Sequence, residues 1–419
     1  MSPADPGPAL RAVSRLDGYR ELLRNRPYLM YLSSAVLASA GYSVYALSVP
    51  WLALELDRSF LFLGAVLFVE YGIYTLTFLV APWIDRARDK RTIFLACYPL
   101  MALGALTLGF GLLRGDLSPV EVLALVGAIS LLWDFAWGAY NVVPALLLPR
   151  DQFFRAEGLG GLLGGVTGIA GTSVGALLVV VVGPPGGMFL YAFLLVAGTL
   201  LALPVAIPSR EEPRGERFLT ALREGWEYFR ASSSQVLRAL VPLELLRGFL
   251  FAGPTLLITL IATVTLRSDR SAYGLLYAGW VLGGIALGLA LGELNPRRRV
   301  GHVLVAALFA EGGATLVAVL LAGQPLVAVV AWFVAGAAAG AYTNTKYSFL
   351  RGAFPTGSLA RISSNLYLFT GSASALGALI LGSLAGELPV ETFGALVAGG
   401  FLLAGALSAV RGSLRTAAF

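Results

Sequence analysis

The chain has 419 residues, of which 57% are apolar, 50 are glycine and 13% are charged, against about 25% charged in a soluble domain. So few charges cannot cover a chain of this length in water, which excludes an ordinary soluble globule and calls for lipid as the surrounding solvent. One cysteine, Cys97, and one histidine, His302, exclude an internal disulfide and a zinc or haem cluster, so no cofactor is expected.

Met1 to Pro27 is polar, carries five Arg and lacks the short apolar core of a cleavable signal peptide. From Tyr28 onward, apolar stretches long enough to cross a core of roughly 30 Å recur. Twelve are predicted, at 28–54, 60–83, 92–113, 119–148, 158–182, 187–207, 237–265, 272–292, 301–322, 325–349, 362–385 and 390–410. The long break at 208–236 divides them six and six. Its charges Glu216, Arg217, Arg223, Glu224, Glu227 and Arg230 alternate with Phe218, Leu222, Trp226 and Phe229, a pattern for an amphipathic helix on the membrane surface or, in the alternative, a disordered linker. The expected fold is an all-α membrane protein of twelve transmembrane helices in two six-helix bundles, 1–207 and 237–419.

Positive charge tests this layout independently of hydropathy. Loops on the side of the N-terminus hold 24 of the 30 Lys and Arg residues, and the opposite loops hold only Arg58, Arg114, Arg267 and Arg270. By the positive-inside rule both termini face the cytoplasm of a cell's inner membrane. The net charge of +6 is then topological, and no nucleic-acid partner is needed to explain it. The halves also echo each other, because Asn141 near the end of the fourth span and Asn344 near the end of the tenth both precede a short loop containing Pro, Phe, Arg and Ala. Parallel six-span repeats occur in one large transporter fold.

The loop after the second span, Ala81-Pro82-Trp83-Ile84-Asp85-Arg86-Ala87-Arg88-Asp89-Lys90-Arg91, resembles the G-x-x-x-D-R-x-x-R-R signature of the major facilitator superfamily, with Ala81 where Gly is usual. Asn25-Arg26-Pro27, Val49-Pro50-Trp51-Leu52-Ala53-Leu54-Glu55-Leu56, Leu148-Pro149-Arg150-Asp151 and Phe218 to Phe229 resemble, more narrowly, the exporter branch that includes the enterobactin exporter and the macrolide efflux proteins. Two departures stand out: Gly171-Thr172-Ser173-Val174-Gly175 lacks the Pro of the antiporter motif G-P-x-x-G, and Tyr42 stands where relatives often carry Asp. The resemblance implies alternating access, in which the two halves rock about a central site. It also implies a cytoplasmic gate of Asp85, Arg86, Lys90, Arg91, Arg155 and Arg361, for which the alternative is a solvated basic loop that only sets topology.

Charges inside spans cost roughly 2.5 to 3.5 kcal/mol on insertion scales unless they are paired, protonated or facing water. Away from the span ends, Glu70, Asp134, Glu244, Arg247, Glu311 and Lys346 stand out. Asp134 is expected to share one helical face with Trp137, Gly138 and Asn141. The resemblance puts the fourth span on the cavity, where Asp134 would bind a cation or carry a proton; the alternative is a buried Asp held by neighbouring hydroxyls. Glu70, beside Tyr71 and Tyr74, either titrates or is structural. Glu244 and Arg247, three apart, are expected to neutralise one another, the alternative being that substrate or proton competes for the pair, with Glu244 a proton carrier beside Asp134 and Glu70. Glu311 falls on a span peripheral in this fold and is expected to be structural. Lys346, next to Asn344, either snorkels or meets an acidic group of the substrate. Tyr42, Tyr45 and Trp137 are candidates for stacking on amphipathic or cationic molecules. The expected protein is a monomeric secondary transporter in the lipid bilayer, exporting a small organic substrate and drawing on protons. The alternative is an uptake permease or lipid transporter of the same fold.

Overall fold

The computed structural model describes residues 22–76, 80, 83–84, 89–149, 152–207, 235–267, 270–294, 300–353 and 356–410. Among these the secondary structure is helical throughout, without a strand. The helices are α1 (Arg26–Asp57), α2 (Phe60–Tyr74), α3 (Arg91–Arg114), α4 (Pro119–Val142), α5 (Phe153–Val181), α6 (Pro184–Ala202), α7 (Gln235–Phe249), α8 (Arg270–Leu294), α9 (Val300–Leu320), α10 (Pro325–Ala353), α11 (Thr356–Glu387) and α12 (Val390–Val410). Ten segments among the described residues are long and apolar enough to cross a membrane; with the shorter apolar α2 and with α8, they occupy the twelve positions that hydropathy assigns. The amphipathic segment expected at 208–236 lies outside the described residues, except for its last two positions at the start of α7.

Local chemistry sets the ends. Asn25 accepts the backbone N–H of Tyr28 at 3.1 Å, with proline in the first turn behind it, which starts α1. Ser118 and Glu121 form a reciprocal capping box at α4. Gly115 and Gly183, at φ +72° and +86°, end α3 and open α6 with backbone that other residues rarely adopt.

Three predicted spans are interrupted. The span expected at 237–265 breaks after Phe249, resumes as Gly253–Leu260 and closes in a π turn, Ile261–Thr265. Pro254 explains the break, because its ring restricts the preceding residue and it lacks the N–H of a continuing helix. Pro144 likewise splits the fourth span into α4 and a one-turn helix, Pro144–Leu147. In the second span, α2 stops at Tyr74 with turn residues after it.

In the first six helices, α6 packs on α1 and α3, α5 on α1, and α4 on α2 and α3; in the last six, α10 packs on α8 and α9, α12 on α9, and α11 on α7. The sets meet most closely where α2 packs on α11 and α5 on α8. Small residues permit these approaches, since lipid supplies no hydrophobic drive and close backbone packing must hold helices together. A Cβ on Gly64 of α2 would lie 2.6 Å from the carbonyl oxygen of Ala378 on α11. Gly284 of α8 meets Gly336 and Gly340 of α10, and Gly283 meets Phe333 and Ala337, with backbone against backbone. The fifth-span glycines divide between partners: Gly171 and Gly175 face α1, and Gly165 and Gly168 face Ile285 of α8.

Hydroxyls inside the bundle largely satisfy themselves. Ser48, Thr167, Thr259, Thr315, Ser374 and Ser408 each donate to the carbonyl four residues earlier at 2.6–2.9 Å.

Gly64→Leu is expected to force α2 off α11 and lower the thermal midpoint by several degrees, as overpacking of about 1–3 kcal/mol does. Gly313→Ala, where a Cβ meets nothing within 4 Å, should leave it within a degree or two; differential scanning fluorimetry of the purified protein in detergent compares them.

Candidate functional site

Two polar clusters lie inside the bundle. The first belongs to α1, α2 and α4. Glu70 is 6% exposed and accepts a hydrogen bond from the Tyr42 hydroxyl at 3.0 Å; that hydroxyl is also 2.7 Å from the Tyr74 hydroxyl. Tyr42 stacks on Trp133 with ring centres 4.2 Å apart, Trp133 is followed by Trp137 at 6.1 Å, Trp137 by Tyr140 at 5.2 Å, and Tyr140 by Tyr31 at 5.5 Å. Five rings thus form a continuous ladder, because positions 133, 137 and 140 repeat on one face of α4 and α1 supplies a ring at each end. Trp137 is 47% exposed and lines a cleft with Trp133, Tyr140 and Thr167, to which no ionised side chain contributes among the described lining residues.

Asp134 is 2% exposed and lies within electrostatic reach of Tyr74. The stripe expected to unite it with Trp137 divides: Trp137 faces the cleft, Gly138 packs against Ile84, and Asp134 turns inward. Residues three apart on a helix differ by about 60° in direction, enough to place one in the cleft and the other in the core. The backbone of Asn141 continues α4, and its side chain lies outside the described ones. Tyr45 is fully buried, 5.9 Å from the Tyr42 ring and 4.9 Å from that of Tyr191, so it backs the cluster rather than facing the cleft.

The second cluster joins α7, α9, α10 and α11. Glu244 accepts from Lys346 Nζ at 2.7 Å, from the Tyr342 hydroxyl at 2.6 Å and from the Thr370 hydroxyl at 3.3 Å. Arg247 lies 3.6 Å from Glu311, and its guanidinium sits 4.4 Å above the Tyr342 ring. The expected Glu244–Arg247 pair is therefore replaced by two pairs, each with a partner from another helix. Residues three apart on a helix diverge by about 60°, and Lys346 of α10 and Glu311 of α9 reach Glu244 and Arg247 from facing helices. Glu311, expected to be structural and peripheral, belongs to this cluster, and Lys346 turns inward instead of snorkelling. All four are at most 8% exposed, and their formal charges sum to zero. Asn344 lines a cavity of about 280 Å³ beside Arg247 and Glu311.

Of the gate residues, Asp85 and Arg86 lie outside the described residues, as do the side chains of Arg155 and Arg361. Lys90 is buried and donates to the Ile84 carbonyl; Arg91 donates to the Leu203 carbonyl at 3.0 Å and lies 3.4 Å from Asp89. Both therefore bind within the first six helices. Asn25 donates to the Leu147 carbonyl at 3.3 Å, tying the start of α1 to the turn after α4. At the opposite end, Glu55 of α1 accepts from Arg270 of α8 at 2.5 Å and from the Trp51 indole at 3.1 Å, and the Tyr273 hydroxyl donates to the Leu47 carbonyl at 2.7 Å. Sequence reasoning missed this clasp by counting Arg270 only as a loop charge. Trp133 was also missed, although its place four residues before Trp137 marks it as sharing that face.

Residues 23–418 match the family profile described as transmembrane secretion effector. The chain belongs to that family. It is a major facilitator transporter, and solved structures of the same fold agree. A point variant of the nucleoside transporter NupG superposes with a TM-score of 0.74 at 13% identity, covering 91% of this chain and 99% of that one. A transporter of the POT family in complex with 5-aminolevulinic acid gives 0.71 at 12%, covering 92% and 95%. A bacterial homologue of the iron transporter ferroportin in an inward-facing state gives 0.68 at 17%, covering 93% and 99%. No curated protein sequence matches significantly. In this transporter Glu70, Asp134, Glu244, Arg247, Glu311 and Lys346 are all buried.

Removing Lys346 strands a buried carboxylate, which costs about 3–5 kcal/mol, whereas replacing both partners is nearly neutral. Lys346→Met is therefore expected to lower the thermal midpoint sharply, and the double variant Lys346→Met/Glu244→Gln to recover most of the loss.

Proposed function

We propose that this transporter is a secondary exporter of small amphipathic, cationic organic molecules, moving them across the cytoplasmic membrane by alternating access in exchange for protons. The observation that carries the reading is the aromatic ladder ending beside two buried carboxylates, Glu70 and Asp134. Aromatic faces attract organic cations and stack on planar rings, and carboxylates inside a membrane span are suited to exchanging a proton for such a cation. The description of the matched family supports the outward direction. The basic excess in the loops on the terminal side supports a cytoplasmic location for both termini.

In this reading residues 1–207 and 237–419 rock as two bodies joined by 208–236. The clasp of Glu55 with Arg270 closes the outer end, and Asp85, Arg86, Lys90, Arg91, Arg155 and Arg361 close the inner one. The protein works as a monomer. The structural neighbours carry solutes as different as nucleosides and peptides, so their common fold leaves the substrate to the lining. A lipid carrier would bring an anionic head group to Lys346 and Arg247, whose charges Glu244 and Glu311 already balance.

Ethidium is a suitable probe because it is planar, aromatic and cationic. Its proton-driven efflux from vesicles is expected to fall at least tenfold in Glu70→Gln and in Asp134→Asn, with ethidium exchange at equal pH retained in at least one of them. If efflux kept its pH dependence in both variants, the coupling carboxylates would lie elsewhere. Trp137→Ala is expected to weaken ethidium binding about five- to tenfold, the size of a cation–π contact of roughly 1 kcal/mol, as read by fluorescence titration.

A further inference from the structure

The second cluster contains more hydrogen-bonding capacity than it uses. Nε of Arg247, Oε2 of Glu311 and the indole N–H of Trp280 are buried and have no hydrogen-bond partner among the described residues. At 3.6 Å, Arg247 and Glu311 attract as charges without forming a hydrogen bond. Buried groups in native proteins are almost always satisfied, so three orphans in one place call for an explanation. All three side chains line the same cavity of about 280 Å³, together with Thr343, Asn344 and Phe251. That volume is close to the lower end of the range for small-molecule sites.

The charge balance restricts what can enter. Glu244 with Lys346 and Arg247 with Glu311 sum to zero. A solute of net charge would leave one charge uncompensated in a buried site, at a cost of several kcal/mol, whereas a solute carrying both signs leaves the sum unchanged. Two of the orphans are donors and one is an acceptor. A carboxylate fits Arg247 Nε and the Trp280 indole, and an ammonium fits Glu311 Oε2. Arg247 Nη2 and Glu311 Oε2 are 3.6 Å apart, so the charges of the pair are close enough to be met by two groups joined through a single carbon, and Phe251 and Trp280 offer an apolar wall to the remainder.

We propose that the cavity between α7, α8, α9 and α10 is a second solute site, selective for small zwitterions of the amino-acid type with an apolar side chain, which dock against Arg247 and Glu311 where both line it. It is separate from the aromatic ladder and depends neither on proton coupling nor on the direction of transport.

Three probes with one apolar body separate the charge states: L-phenylalanine, phenethylamine, which lacks its carboxylate, and 3-phenylpropionate, which lacks its ammonium. Each is titrated against the thermal midpoint of the purified full chain, since a ligand that binds the folded state raises it. Only L-phenylalanine is expected to raise the midpoint saturably in the native protein. Arg247→Gln/Glu311→Gln removes both charges and keeps the sum at zero, so it tests the site without stranding an ion. It is expected to weaken L-phenylalanine at least tenfold while still binding ethidium. Glu311→Gln alone leaves one positive charge in excess and is expected to transfer the preference to 3-phenylpropionate. No saturable response to L-phenylalanine in the native protein, equal responses to all three probes, or undiminished L-phenylalanine binding in the double variant would each overturn the proposal. Loss of ethidium binding with L-phenylalanine binding intact would count against the exporter reading alone.

Discussion

Six charged side chains, Glu70, Asp134, Glu244, Arg247, Glu311 and Lys346, lie buried away from the span ends, and lipid offers none of them a partner. Everything polar in the interior has to be answered by the chain itself, because an unsatisfied group in hydrocarbon costs several kcal/mol. The backbone answers by being helical. Hydroxyls answer by donating to their own helix one turn back. The six charges cannot be satisfied locally in that way, so they draw partners from other helices and fix which helices meet. Glu244 alone gathers Lys346, Tyr342 and Thr370, holding α7, α10 and α11 together.

The two clusters meet this demand differently. Around Arg247 the charges cancel, so the second cluster is electrically closed, with orphaned donors and an acceptor facing a cavity. Around Glu70 the compensation comes from phenolic hydroxyls, which donate a hydrogen bond but carry no positive charge. A carboxylate held by hydroxyls can give up its charge without stranding a cation, whereas Glu244 cannot, because Lys346 would be left behind. This asymmetry between the halves distinguishes a place where charge can change from a place where it is fixed.

Much of the fold was legible in the sequence. Apolar runs located the helices because every residue facing lipid obeys the same rule, and the alternation of basic loops kept their number in register. Breaks at Pro144 and Pro254 were not drawn, since hydropathy does not register a missing N–H. The interior charges were found by their cost, but their partners were not. Glu244 and Arg247 sit three apart in sequence and pair elsewhere, because which charges meet is decided by how α7, α9 and α10 pack, and spacing along one helix carries no record of that. Glu311 was undervalued for the same reason. Glu55 and Arg270 were invisible as a pair, being loop-end charges 215 residues apart. Asp85, Arg86 and the linker at 208–236 fall outside the described residues, so their expected roles stand as sequence readings.

The clasp at the end opposite the termini is built unlike either cluster. Arg270 and Glu55 are 43% and 27% exposed, and ion pairs so placed contribute about 0–1 kcal/mol and weaken with salt. The second contact, Tyr273 to the Leu47 carbonyl, is one neutral hydrogen bond of about 1 kcal/mol. These two contacts thus add only a few RT to the packing of α5 on α8 that also joins the halves. If the clasp closes the outer end as proposed, a guest whose contacts differ by a kilocalorie or two between the open and shut forms offsets its contribution.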